Sequence, residues 1–104
     1  MARKPQLGPS SDPELLILTS LSNGPKHGYA VMQDIEQFSG TRLGPGTLYT
    51  AITRLVEKGM IRPEPAEQRQ RPYRITKAGL TSLSEQLKDM RKLANIGLRR
   101  LSFS

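Results

Sequence analysis

The chain contains no cysteine and no tryptophan, one histidine, three tyrosines and two phenylalanines among its 104 residues. Without cysteine there are no disulfides and no thiolate metal sites, a composition at ease in a reducing compartment. The single imidazole, His27, has no cysteine or acid cluster beside it and makes a poor metal ligand or catalytic base. Its expected role is structural, at the start of a helix. No nucleophile–base pairing, phosphate loop or close carboxylate pair stands out, so the sequence points away from an enzyme and implies no cofactor and no metal. No apolar run approaches the ~20 residues that a membrane helix needs. The opening MARKPQLGPSSDP is basic but lacks the apolar stretch of a secretory signal. The expectation is a soluble, cytoplasmic protein.

Acids are scarce too: nine, against sixteen lysines and arginines, for a net charge of +7. A surface this basic suits a polyanion, either nucleic acid or an acidic membrane leaflet. The length fits one compact domain, and 36% hydrophobic residues give a thin core. A thin core suggests that some apolar surface is buried against a second copy of the chain.

Residues 1–11 are rich in proline, serine and glycine and read as a flexible arm. Arg3 and Lys4 can touch phosphates, although a solvated tail is the simpler explanation of them. Asp12-Pro13-Glu14 reads as a helix start, with Asp as cap, Pro in the first turn and Glu complementing the dipole. Leu15, Leu16, Ile17, Leu18 and Leu21 make that helix a buried one, and Asn23-Gly24-Pro25 stops it. A second helix begins at His27-Gly28-Tyr29, places Val31, Met32, Ile35 and Phe38 on one side, and ends at Ser39-Gly40.

Pro45 suits the first position of a third helix that runs to Glu57-Lys58 and closes at Gly59. Leu48, Ile52, Leu55 and Val56 are spaced to face a core, leaving Thr47, Thr50, Arg54 and Lys58 on the outer side. Two β-prone stretches follow, Met60-Ile61-Arg62 and Tyr73-Arg74-Ile75, around a polar loop with a proline at each end. Pro63 and Pro65 are two apart, so their missing amides face one strand edge, which must be open to solvent. Thr76 caps a last helix in which Leu80, Leu83, Leu87, Met90, Ala94, Gly97 and Leu101 keep strict 3-4 spacing. That stripe is either core contact within one chain or a seam between two; the helix's length in so small a domain favours the seam.

Four motifs in this order resemble the PadR family of transcriptional regulators. They are Gly24-Pro25-x-His27-Gly28-Tyr29, Gly46-Thr47-Leu48-Tyr49, Leu55-x-x-x-Gly59-x-Ile61 and Tyr73-Arg74-Ile75-Thr76-x-x-Gly79. The resemblance covers about residues 14–83 and is closest to the short form with a single C-terminal helix. It implies a mainly α fold with a small β-hairpin: a winged helix-turn-helix plus a long C-terminal dimerisation helix. The implied organisation is an arm over 1–11, a winged helix-turn-helix over 12–76 and a dimerisation helix over 77–104. The implied function is operator binding by a homodimer, usually repression relieved by a small molecule held near the dimer interface. Gly44 stands where a serine often caps the recognition helix and Thr50 where many members have proline. The wing keeps Arg69 and Arg71 but lacks a Gly-Gly-Arg-Arg run.

Residues 42–77 carry eight basic residues (Arg42, Arg54, Lys58, Arg62, Arg69, Arg71, Arg74, Lys77) against Glu57, Glu64 and Glu67, a local net of +5. The expected DNA-binding residues are Thr47, Tyr49, Thr50, Thr53, Arg54 and Lys58 on the third helix, with Arg69 and Arg71 on the wing. The resemblance sets Tyr49 at the DNA surface; its ring can equally pack on the helix-turn-helix core. The expected dimer interface is Leu80, Leu83, Leu87, Met90, Ala94, Leu98 and Leu101. Two other readings stand beside this one. A winged-helix module that binds protein instead of DNA often lacks basic residues on the third helix and wing. A membrane-surface helix, suggested by Lys88, Arg91, Lys92, Arg99 and Arg100, would need aromatic residues that the seam lacks before Phe103.

Overall fold

In the computed structural model, which describes residues 12–65 and 71–102, the elements run α1 (Pro13–Leu21), α2 (Gly28–Ser39), α3 (Pro45–Glu57), β1 (Ile61–Pro63), β2 (Tyr73–Ile75) and α4 (Lys77–Ser102). This is the mainly helical architecture with a two-stranded hairpin that the sequence implies.

Each boundary has a local cause. Asp12 is extended and its carboxylate accepts from the Glu14 amide at 3.0 Å, while Pro13 loses no hydrogen bond in the first turn. Gly40 ends α2 in the left-handed region, at φ 74°, and its amide reaches back to the Glu36 carbonyl. Gly59 does the same after α3, at φ 75°. The Thr76 hydroxyl accepts from the Gly79 amide at 3.1 Å and donates to the Gly59 carbonyl, so one side chain caps α4 and ties it to the turn before β1.

α1 is buried nearly all round, as its run of aliphatic residues demands, and it is the central strut of the core. Val31 and Ile35 of α2, Leu48, Ile52 and Leu55 of α3, Ile61 of β1 and Leu83 of α4 close around it. Two expected core residues differ. Phe38 and Val56 are exposed, and Ala51 is buried in their stead. α2 is amphipathic over a narrower arc than its four apolar residues suggest. On α3, Ala51 takes the inward position and Val56 turns outward.

The hairpin pairs antiparallel, with Ile61 opposite Ile75, Arg62 opposite Arg74 and Pro63 opposite Tyr73. The Glu64 amide donates to the Pro72 carbonyl and the Thr76 amide to the Met60 carbonyl. Even-numbered positions of β1 therefore bond towards β2, and the imino nitrogens of Pro63 and Pro65 fall on the far edge. Lys26 extends the sheet on its other side, exchanging two backbone hydrogen bonds with Tyr73. The Lys26 ammonium donates to the Ser20 carbonyl and to Asn23 Oδ1 and lies 3.9 Å from Asp34, which itself accepts from the buried Ser20 hydroxyl. A single residue thus joins the end of α1, the body of α2 and the hairpin.

α4 has 26 residues, so it is about 39 Å long at 1.5 Å per residue. Its first turns are held tightly: a Cβ at Gly79 would run into the Met60 carbonyl and lie 2.8 Å from Ile75 Cγ1. Leu83 is 5% exposed and belongs to the core of its own chain, and Met90 packs partly against that core. Beyond Met90 the helix leaves the body, with Leu93, Leu98 and Leu101 69%, 66% and 71% exposed.

Candidate nucleic-acid interface

α3 presents an uncapped N-terminus. Gly44 is extended and offers no side-chain hydrogen bond, and Pro45 has no amide. The amides of Gly46 and Thr47 therefore open outward at the positive end of the helix dipole, a favourable place for an anion. Thr47, Thr50 and Arg54 follow along the exposed side of the helix and form one wall of a groove of about 540 Å³. Its other wall is the start of α1, Asp12 to Glu14.

Tyr49 turns the other way, towards α2. Its ring is 47% exposed and lies over Gly28, where a Cβ would come 2.8 Å from Tyr49 Cζ. The ring thus packs on the helix-turn-helix at Gly28 and is open elsewhere. The glycine of His27-Gly28-Tyr29 is needed because the ring occupies the space of a side chain. Thr53 is exposed, but its hydroxyl donates to the Tyr49 carbonyl at 2.9 Å, leaving oxygen lone pairs for any outside donor.

The basic residues are not equivalent. Lys58 is paired to Glu14 at 2.7 Å, drawing its charge towards α1. Arg74 forms a two-point contact with Glu64, at 2.9 and 3.3 Å. That hydrogen bond holds the Glu64 carboxyl below the usual carboxylate range against the opposing effect of desolvation, and the charges of Arg74 and Arg62 lower it further. The Arg74 guanidinium is stabilised in turn. Arg42 lies 3.9 Å from Glu36. Arg54, Arg62, Arg71 and Lys77 are exposed and form no ion pair among the described residues. Arg69 lies outside the described residues.

Arg62 belongs with the site, although its sequence context marks it only as one more basic residue. It stands opposite Arg74 on the outer face of the hairpin while Ile61 and Ile75 face inward. The signal was present in the strand alternation, apolar Ile61 then basic Arg62. Among the described residues there is no cluster of histidine and acids able to hold a metal, and no helix is long and apolar enough to cross a membrane.

Of the expected interface residues, Leu80, Leu87, Ala94, Leu98 and Leu101 are exposed on α4. Leu83 and Met90 are engaged by the chain's own core. The 3-4 stripe is thus divided: its inner positions fasten α4 to the core, and its outer and distal positions are exposed.

Three packed helices, a hairpin after the third, and a long final helix define a winged helix-turn-helix protein. Residues 17–85 match the transcriptional regulator PadR-like family, and the chain belongs to that family. It is 45% identical over 85 residues to a 37.1 kDa protein in transposon TN4556 of Streptomyces fradiae, covering 82% of this chain and 25% of that protein. The chain thus spans about a quarter of the length of that curated relative. The fold is similar to a PadR family transcription regulator from Clostridium difficile R20291, with a TM-score of 0.78 and 21% identity over 86% of this chain and 97% of that one. It is also similar to F93 from STIV, a winged-helix DNA-binding protein, with a TM-score of 0.69 and 20% identity over 76% of this chain and 87% of that one.

Proposed function

We propose that this chain is a sequence-specific DNA-binding transcriptional regulator that reads a palindromic operator as a homodimer. The observation that carries this reading is the outer face of α3. Thr47 and Thr50 stand exposed by an uncapped helix N-terminus, Arg54 continues that face in the last turn, and Arg62 and Arg71 extend the positive charge onto the hairpin. Hydroxyls near a helix N-terminus and a guanidinium further along the same face suit base edges in a major groove, and the amides of Gly46 and Thr47 suit a phosphate. The hairpin arginines suit the backbone on either side, which sets register without reading sequence.

The exposed part of α4, through Leu87, Ala94, Leu98 and Leu101, supplies the seam between two copies, and Leu80 extends it towards the hairpin. Two recognition helices then fall on successive half-sites. The division into an arm over 1–11, a DNA-binding domain over 12–76 and a dimerisation helix over 77–104 belongs to this proposal. So does repression relieved by a small molecule near the seam, which family membership favours.

The test is Arg54→Ala, measured by fluorescence anisotropy on the duplex upstream of the gene and on random duplex. Loss of a bidentate base contact weakens operator binding by ~1–3 kcal/mol and leaves random DNA unchanged. Unchanged affinity on both removes Arg54 from the site.

A further inference from the structure

The recognition helix carries two basic residues on the edge that faces α1, and an acid meets only one of them. Arg54 and Lys58 are four residues apart, so they stand one above the other on that edge. Arg54 lines the groove with Thr47 and Thr50 and forms no ion pair among the described residues. Lys58 donates to Glu14 Oε1 at 2.7 Å. Its partner lies 44 residues earlier in the chain, although Glu57 is adjacent and exposed.

Glu14 is held in place independently of Lys58. It sits in the first turn of α1, where the positive end of the helix dipole favours a carboxylate, and its amide donates to the Asp12 cap at 3.0 Å. Its side chain is 25% exposed, against 53% for that of Lys58. On one side it borders the recognition groove, and on the other a cavity of about 210 Å³ walled by Leu18, Leu55 and Met60. The carboxylate is thus the anchored member of the pair, and the ammonium, on its flexible four-carbon stem, is the adaptable one.

A phosphate near the end of α3 must compete with Glu14 for this ammonium. Taking Lys58 breaks a contact at 2.7 Å and leaves a bare carboxylate beside the polyanion. Arg54, with no ion pair among the described residues, carries neither penalty.

We propose that Glu14 is a positioning residue that withholds Lys58 from phosphate and so sets the affinity that every DNA sequence shares. This rests on the DNA-binding reading of α3. Phosphate contacts give affinity without sequence information and make binding salt-dependent. With Lys58 held back, each protomer makes one such contact fewer, and Arg54 is the cation that α3 presents.

The test titrates the full chain and its variants by fluorescence anisotropy on the upstream duplex and on random duplex across a range of salt. Circular dichroism checks the fold of each. Glu14→Gln keeps the size of the side chain and removes its charge. It should bind random duplex about two- to fivefold more tightly, since an exposed pair no longer has to be broken. Its plot of log K against log salt should steepen by about 0.9 for each protomer bound, one further phosphate being neutralised. Lys58→Ala alone should leave the wild-type slope nearly unchanged. Added to Glu14→Gln, it should take the gain in slope back.

An unchanged slope in Glu14→Gln overturns the proposal. A slope flattened by about 0.9 in Lys58→Ala alone does so too, because Lys58 then already lies on phosphate in the wild type. That single variant decides the matter if Glu14→Gln does not fold. A gain in Glu14→Gln that survives Lys58→Ala is equally contrary, since Glu14 would then repel DNA without acting through the lysine. In each of these cases the wild type still binds the duplex, and the DNA-binding reading stands. Wild-type protein that binds neither duplex overturns that reading and this proposal with it.

Discussion

The two ends of the molecule use the same residue types to opposite effect. In the body, formed by α1, α2, α3, the hairpin and the first turns of α4, the large aliphatics are mostly hidden: Ile17, Val31, Ile35 and Leu48 have no exposed surface. In the last three turns of α4, leucines are largely exposed. The body is a closed hydrophobic structure. The distal helix is an unfinished one, and an isolated helix of that length is marginal in water unless its apolar side is covered. Leu83 and Leu87 thus lie in one periodic stripe, yet only Leu83 belongs to the core of its own chain.

Breaking the distal half should give the largest effect. Leu87→Glu with Leu98→Glu would set two carboxylates in the proposed seam, at a cost above ~5 kcal/mol if the seam is dry. Sedimentation equilibrium should show a dimer become a monomer, while the body keeps its cooperative unfolding. Leu83 is unsuitable for this purpose, because charge there would unfold the chain's own core. The matching change in the body is Leu48→Ala, which should lower unfolding free energy by ~2–5 kcal/mol in urea titrations. Equal destabilisation by Leu101→Ala in the dissociated monomer would erase the distinction between the two regions.

A smaller effect sharpens the account of the body. Gly28→Ala should destabilise by ~1–3 kcal/mol, because the added methyl meets the Tyr49 ring. Tyr49→Leu in the same chain should recover part of that loss, and a double-mutant cycle with no coupling would show that the ring does not set the glycine.

The smallest effect is in the hairpin. Glu64 has its pKa lowered in the folded state by Arg74, so its contribution is present above the unfolded value of about 4.5 and is lost only as pH falls through the lower folded value. Unfolding midpoints of wild type and Glu64→Gln should differ by the same small amount at pH 7 and pH 6 and converge below pH 4. A difference that disappears between pH 7 and 6 would contradict the direction of the shift.

Much of this was legible in the sequence because it was local. Asp12, Gly40, Gly59 and Thr76 end or begin helices by rules that involve only neighbouring residues. The motifs around Gly28, Gly46 and Gly79 marked the family. What the sequence hid was set by packing between distant segments. Whether Val56 or Ala51 faces α1 depends on how closely α3 approaches, and both positions are apolar. Lys58 and Arg54 look alike as basic residues on one helix face, and only the arrival of Glu14 from α1 separates them. The division of the C-terminal stripe into core and open surface depends on where the body ends, which periodicity does not encode.

The central claim is that the α3 and hairpin face binds duplex DNA largely through charge. Its most direct test is the affinity of the wild-type chain for its upstream duplex as salt rises. Each chain carries four exposed cations without ion pairs among the described residues, Arg54, Arg62, Arg71 and Lys77. If most of them meet phosphate in a dimer, affinity should fall about 10³- to 10⁵-fold between ~50 and ~200 mM salt. A fall of less than about tenfold, or no binding at the lower salt, would contradict the account.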